Sequence, residues 1–508
     1  MLRVLTIAAT VAALIAPLPA AAAPDRVLQR YAADTWRSMA AMVDPGSGLP
    51  SDNIDGALDP ASRSRYTSPT NVGMYLWATV GARHLGLIRR DEAVDRIRHT
   101  LGTVRDLPRH PASGQFYNWY DPATGAVLRT WPVDGSTVFP FLSSVDNGWL
   151  ASGLLTVAGD LPELAGAAWS VLRGMDFGFY YDPAARGADV PAGLIRGGFW
   201  DEPPPGCAVL DNYRDRGPDV WYTCHHYGAF NTEPRIASYI GIALGQIPAG
   251  HYFAGWRTFP PTCDWSWQEQ QPVGREATHL GVPVFEGTYG YRGMRLVPTW
   301  GGSMFEALMV PLVVPEETWG PRSWGRNHPV YVRAQIEHGL REARYGYWGF
   351  SPSNNPDGTP PYREWGVDAI GMDGPGYTSD VQRTAVDPGF GDCPDRPAVP
   401  PPADFGDGVV TPHASFLALR YAPGAALSNL AKLRRDFDAY GPGGFYDAIN
   451  VGTGAVSRTY LALDQGMVLA AATNALEYDV LRRAFTRGPI AALRPLLAME
   501  DWRDVHSG

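Results

Sequence analysis

About a dozen stretches of this chain carry apolar side chains at helical spacing, and that recurrence most limits the fold. They run over 27–43, 70–86, 90–107, 142–158, 162–174, 233–245, 303–313, 328–345, 411–422, 425–438, 462–474 and 477–486. Long segments rich in Gly, Pro, Trp and Tyr separate them, at 108–141, 176–232, 246–302 and 346–410. Strand-like alternation is scarce. The expectation is an all-α chain forming an (α/α)6 barrel, a toroid of paired helices whose aromatic-rich loops gather at one end around a cleft. An irregular helical array satisfies the same count. Loops this long carry function or hide further elements. The Pro-rich stretch 377–408 reads as a flap or as a linker, and the helical pattern resumes after it.

Hydrophobic residues at 45% and charged residues at 19% supply a large core and exclude a disordered chain. The net charge is −10 with no basic cluster, so neither nucleic acid nor an anionic membrane is expected as a partner. Residues 1–22 read as a cleaved signal peptide, with Ala20 and Ala22 at the small-x-small positions. A single exported domain over 23–508 is expected, with no later membrane span. Nothing in the sequence fixes an oligomeric state.

Cys207, Cys224, Cys263 and Cys393 suit two disulfides in an exported protein. Cys207 with Cys224 is preferred because it closes a local loop, leaving Cys263 with Cys393; the other pairings stay open. A zinc site from Cys224, His225 and His226 is the competing reading, although adjacent His residues rarely aim at one ion. No phosphate-binding Gly loop or haem motif is present. No cofactor and no metal are expected. The acidic stretch 50–60 lacks the terminal Glu of a helix–loop–helix calcium loop and reads as a surface turn.

Glycosidic hydrolysis normally uses two carboxyl groups held at a cleft. Acidic residues recur at helix starts: Asp146 in "SSVDNGWLASGLL", Glu233 in "FNTEPRIASYIG", Glu306 in "WGGSMFEALMVPLV" and Asp464 in "YLALDQGMVLAA". Asp447 follows a Gly pair. Each has a structural alternative, because carboxylates favour the positive end of a helix and Ser303 to Glu306 is capping-box spacing. Trp119, Tyr120, Trp300 and Trp348 are candidate sugar platforms, with core packing as the alternative. Arg65, Tyr66, Thr70 and Asn71 are candidate polar contacts. His226 and Tyr227 either bind substrate or pack beneath the loop. Arg235 either holds a sugar hydroxyl or pairs with another acid. Glu306 and Asp464 join the substrate-binding candidates.

The ordered motifs "YTSPTNVGMYLWATVGARHLGLI" (66–88), "GQFYNWYDPATG" (114–125), "SSVDNGWLASG" (143–153), "FNTEPRIASYIGIALGQIP" (230–248), "PTWGGSMFEALMVPLV" (298–313), "YWGFSPS" (347–353), "TPHASFLAL" (411–419), "GGFYDAIN" (443–450) and "YLALDQGMVLA" (460–470) resemble the glycoamylase-like domain family. The resemblance implies an (α/α)6 barrel acting on glycans, with endo-β-1,2-glucanases and the cyclising domain of cyclic β-1,2-glucan synthases among its relatives. It implies Glu233 as the catalytic acid and Asp146 as the carboxylate on the water or nucleophile side. Ser143 departs from the second acid of the endo-β-1,2-glucanases, "AATNALEY" departs from a Glu-Asn pair, and the Pro-rich flap is an addition.

The function expected is therefore a secreted glycoside hydrolase cleaving a β-glucan, β-1,2-linked, with an oligo- or polysaccharide as its partner. The competing readings are a non-catalytic glycan-binding protein on the same scaffold, or a glycanase, transglycosylase or polysaccharide lyase acting on another polymer. As the acid, Glu233 needs a pKa raised by burial.

Overall fold

The computed structural model describes residues 23–212, 218–258, 272–358, 361–372, 405–406 and 408–508. Its α-helices are α1 Ala23–Ala41, α2 Pro69–His84, α3 Arg90–Asp106, α4 Ser144–Asp160, α5 Pro162–Leu172, α6 Arg235–Ala243, α7 His251–Ala254, α8 Met304–Leu308, α9 Glu316–Trp319, α10 Trp324–Glu337, α11 Pro412–Leu417, α12 Pro423–Asp436, α13 Ala462–Leu476, α14 Val480–Phe485 and α15 Arg494–Leu497. Every stretch with helical period holds one of them. Their starts follow local chemistry. Ser68, Ser143 and Ser303 place a hydroxyl on a backbone N–H of the first turn, and Pro opens α2, α5, α11 and α12.

Helices α2, α4 and α13 are buried on nearly every side, so their apolar residues form no single stripe. They belong to an inner set of six. α2 packs on α4 and α13, α4 on α6, α8 on α11, and α11 on α13. α6 is tied to α8 by Arg235, which donates to the carbonyls of Glu306 and Ala307, each at 2.8 Å. Around this set lie α1 on α13 and α2, α3 on α2, α5 on α3 and α4, α10 on α8, α12 on α11, and α14 on α4 and α13. Glycine permits the closest approaches. A Cβ on Gly153 would stand 2.8 Å from Gly73 Cα, and one on Gly466 would stand 2.5 Å from Met74 Cβ.

The expectation of an all-α chain is corrected: the structure is mostly helical, with strands in the inter-helix segments. Strands 141–143, 198–200, 220–223 and 208–211 pair in that order as one antiparallel sheet. Val273–His279, Val282–Tyr291 and Met294–Leu296 form a second. Most strands span only two to four residues, too few for alternation to emerge. The long hairpin did carry a signal. Leu280 and Gly281 hold φ of 51° and 80°, the paired left-handed residues of a tight hairpin turn.

Cys207 and Cys224 form the disulfide that the local-loop argument preferred, across the open end of strands 208–211 and 220–223. That pairing removes Cys224 from any zinc site. Cys263 and Cys393, the leader 1–22 and residues 377–404 of the Pro-rich stretch lie outside the described residues. The Cys207→Ser, Cys224→Ser double variant should lose about 2–4 kcal/mol of local stability. Faster amide exchange in strands 208–211 and 220–223 would show it, with protection of α2 and α4 unchanged. No helix among the described residues is long and apolar enough to cross a membrane.

Candidate active site

The first turns of the inner helices meet one another, and their polar side chains form a belt. At its centre the Thr70 hydroxyl of α2 donates to Asp146 Oδ1 of α4 at 2.5 Å. Ser143 Oγ accepts from the Asp146 N–H at 3.1 Å and caps α4. With its amide turned so that both neighbours are satisfied, Asn118 donates to Asp146 Oδ2 at 2.8 Å and its oxygen accepts from Trp119 Nε1 at 3.2 Å. Burial raises the Asp146 pKa, and the hydroxyls of Thr70, Ser143 and Ser68 act against that rise. Ser143 thus does the work of a helix cap.

Glu233 sits half-buried two residues ahead of α6. Trp149 Nε1, from the turn after Asp146, donates to Glu233 Oε2. The Glu233 backbone N–H donates to Glu306 Oε2 at 2.7 Å, and the Thr232 hydroxyl donates to the same oxygen. Burial pushes the Glu233 carboxyl well above its ordinary range; the charges of Glu306 and then Asp146 add to the rise, while the Trp149 N–H and Arg235 oppose it. Glu233 is therefore biased toward its protonated form, with the Glu306 carboxylate on its own turn.

Trp149→Phe removes a donor that favours the ionised form. The Glu233 pKa should rise further. Carboxyl titration followed by NMR in the variant checks this, and a Glu233 pKa moved downward contradicts it.

Glu306 was expected to be a capping-box member or a sugar ligand. Ser303 Oγ does accept from the Glu306 N–H at 3.3 Å, but the carboxylate turns to Thr232 and Glu233 on the neighbouring element. Arg235 is corrected from the substrate-binding set. It is 4% exposed. Its guanidinium meets Glu316 at 2.8 and 3.0 Å and donates to the Thr232 carbonyl at 2.7 Å. Between sugar contact and acid pairing, the acid pairing holds.

Tyr120 and Trp348 are corrected likewise. Both are buried, at 1% and 2% exposure, and the Tyr120 hydroxyl donates to the Pro108 carbonyl. Trp119 stays half-buried in a cluster with Tyr66 and Trp131, at centroid distances of 5.6 and 5.2 Å. Trp131 escaped the sequence reading because it lies in a turn-rich segment without a quoted motif. Trp300 is half-buried beside Ala229, Tyr289 and Met372. His226 Nε2 bonds Asp182 at 2.9 Å, and Asp182 also pairs with Arg196 at 2.7 Å, so His226 anchors the loop. Burial and the charges of Glu233, Asp146 and Glu306 raise the Tyr227 phenol, which places it among the acids. Arg65 is exposed and 3.9 Å from Asp121.

The belt continues through Asp52, which the motifs did not single out, and on to Asp464 and Asp447, which they did. Asp52 accepts from Asn71 Nδ2 at 2.9 Å and from Asn53 Nδ2 at 3.1 Å. Asn71 therefore holds an acid where a sugar contact was expected. Burial raises the Asp52 pKa, and Asp146 adds to it. The stretch 50–60, read as a surface turn, instead carries a strand, Asn53–Asp55, paired with Thr459–Leu461. Asp464 is 6% exposed and lies beside Asp447 and His413. Burial pushes Asp464 up to about 7 and Asp447 well above its ordinary value, and lowers His413 to about 4.

Residues 284–489 match the Glycoamylase family model, and residues 30–177 match a family described only as a protein of unknown function. The chain is homologous to the cyclic β-(1,2)-glucan synthase NdvB of Rhizobium meliloti, at 25% identity over 93% of this chain. It spans 18% of that protein's length. Its fold is shared with an endo-β-1,2-glucanase from Chitinophaga pinensis, solved with sophorotriose and glucose: TM-score 0.61, 17% identity, 94% of this chain and 98% of that one. A β-1,2-glucanase from Parabacteroides distasonis gives a TM-score of 0.65 at 15% identity, covering 94% of this chain and 60% of that one. An endo-β-1,2-glucanase from Talaromyces funiculosus, solved with sophorose, gives 0.58 at 14% identity over 90% and 87%.

Proposed function

We propose that this chain is a secreted glycoside hydrolase that cleaves a β-glucan, β-1,2-linked, with Glu233 as the acid and Asp146 as the carboxylate on the water or nucleophile side. The observation that carries the reading is a Glu233 carboxyl held by the Trp149 N–H where the inner helices begin, its pKa raised by burial and by the charges of Glu306 and Asp146. A proton at that place can be delivered to a glycosidic oxygen, and an ionised partner can act on the opposite face of the sugar. The ring formed by α2, α4, α6, α8, α11 and α13 supports the (α/α)6-barrel reading. Trp119, Trp131 and Trp300 offer half-buried aromatic faces for sugar stacking, and Tyr227 a phenol for a hydroxyl. The leader and the disulfide support export of a single domain over 23–508.

The test is product analysis of the chain from Ala23 on linear and cyclic β-1,2-glucans, starch and arabinogalactan. Oligosaccharides from β-1,2-glucan are the expected result. Release from another polymer alone overturns the linkage. Glycan binding without cleavage of any polymer overturns the hydrolase and favours the binding-protein reading.

A further inference from the structure

We propose that His413, Asp447 and Asp464 form a binding site for one first-row divalent metal ion, of the zinc or manganese kind, within the belt of inner-helix first turns. One ligand atom from each residue lies within 4.8 Å of the others, close enough for small side-chain shifts to close them on one ion. The site is built by fold: His413 opens α11, Asp464 opens α13, and Asp447 precedes the strand Ala448–Asn450.

Three independent features favour a cation here. First, the three side chains are 3%, 3% and 6% exposed, and His413 Nδ1, Asp447 Oδ1 and Asp464 Oδ2 find no neutral donor or acceptor outside the cluster. They can satisfy one another only through added protons: Nδ1 and Oδ2 stand 3.2 Å apart as an ion pair when the imidazole is charged, and the Asp447 and Asp464 carboxyls hydrogen-bond when they share a proton. A divalent ion takes the place of those protons and satisfies all three residues together. Second, the outward atoms of two of these residues are engaged as orienting groups. His413 Nε2 meets Thr411 Oγ1 at 3.4 Å, and Asp447 Oδ2 accepts from the Asn354 N–H at 2.7 Å. That is how protein metal ligands are fixed from behind. Third, no Lys or Arg among the described residues pairs with Asp447 or Asp464. The other His-carboxylate cluster, His279–Glu286–Glu500, is already neutralised by Arg275 and Arg257. Two carboxylates with an imidazole nitrogen match a divalent ion in charge, and the mixed nitrogen and oxygen donors favour zinc or manganese over calcium.

The test uses binding, so its outcome is independent of the glycosidase reading. The chain from Ala23 is stripped with chelator, checked for native circular dichroism, and titrated calorimetrically with zinc, manganese and calcium chlorides. The expected result is one equivalent of zinc or manganese, lost in His413→Ala and in Asp464→Asn and retained in Glu233→Gln. Thr411→Val, which leaves the three ligands in place, should weaken binding by about tenfold. No binding by the natively folded chain overturns the site. So does equal binding by the ligand variants, or uptake of calcium alone. If a ligand variant fails to fold, Thr411→Val decides: unchanged affinity in that variant overturns the assignment.

Discussion

Glu233→Gln should lower kcat on β-1,2-glucan by about 10²–10⁴-fold, the usual contribution of a positioned general acid, while sugar binding survives. Gln keeps the shape of Glu and still offers an oxygen to the Trp149 N–H, but it has no proton to donate. The measurement is reducing-end release at saturating substrate beside calorimetric binding of a β-1,2-linked oligosaccharide. Activity within about tenfold of the parent chain would move the acid elsewhere in the belt. Asp146→Asn is the matching test of the other carboxylate. It keeps an acceptor for Thr70 and removes the charge, so its loss should appear in kcat as well.

Glu316→Leu should destabilise the chain by about 3–5 kcal/mol, the cost of stripping one partner from a buried ion pair. Glu316 is wholly buried and takes three donors: the Arg235 guanidinium, the Tyr239 hydroxyl at 2.8 Å and the His328 ring at 3.0 Å. Its loss leaves Arg235 charged and unpaired in the core. Arg235 also grips the carbonyls of Thr232, Glu306 and Ala307, so activity should fall with stability. Denaturant unfolding at neutral pH reads the first effect. A loss under about 1 kcal/mol would show that the pair is dispensable. Acid titration reads the same interaction from the other side. Arg235 first, then the His328 hydrogen bond, overcome the effect of burial and hold the Glu316 pKa at about 2, against an ordinary 4.5. Its folded pKa is depressed, so its contribution is present above pH 4.5 and is lost as pH falls toward 2.

The helices were legible because they depend on local chemistry. Apolar spacing, Ser68, Ser143 and Ser303 as caps, and Pro at first turns all act within four residues of one another. The same locality put Asp146, Glu233, Glu306 and Asp464 at helix starts, where the helix dipole favours a carboxylate. The short strands were not legible, since two or three residues in a ladder draw their partners from distant chain. Asp52 was hidden for a related reason. It lies outside any helix, and only Asn71 brings it to the belt.

Burial decided the remaining roles. Tyr120, Trp348 and Arg235 carry the chemistry of a sugar site, and nothing in their neighbours along the chain distinguishes a cleft face from a core face. The sequence by itself determined which segments are helical and which acids stand at their entrances, because both follow from contacts a turn or less apart. Only the tertiary structure decided that Trp149 reaches Glu233, that Glu306 holds the turn bearing it, and that His413, Asp447 and Asp464 converge. Those relations join residues 17 to 84 positions apart, and the packing of the inner helices is the force that brings them within a few ångströms.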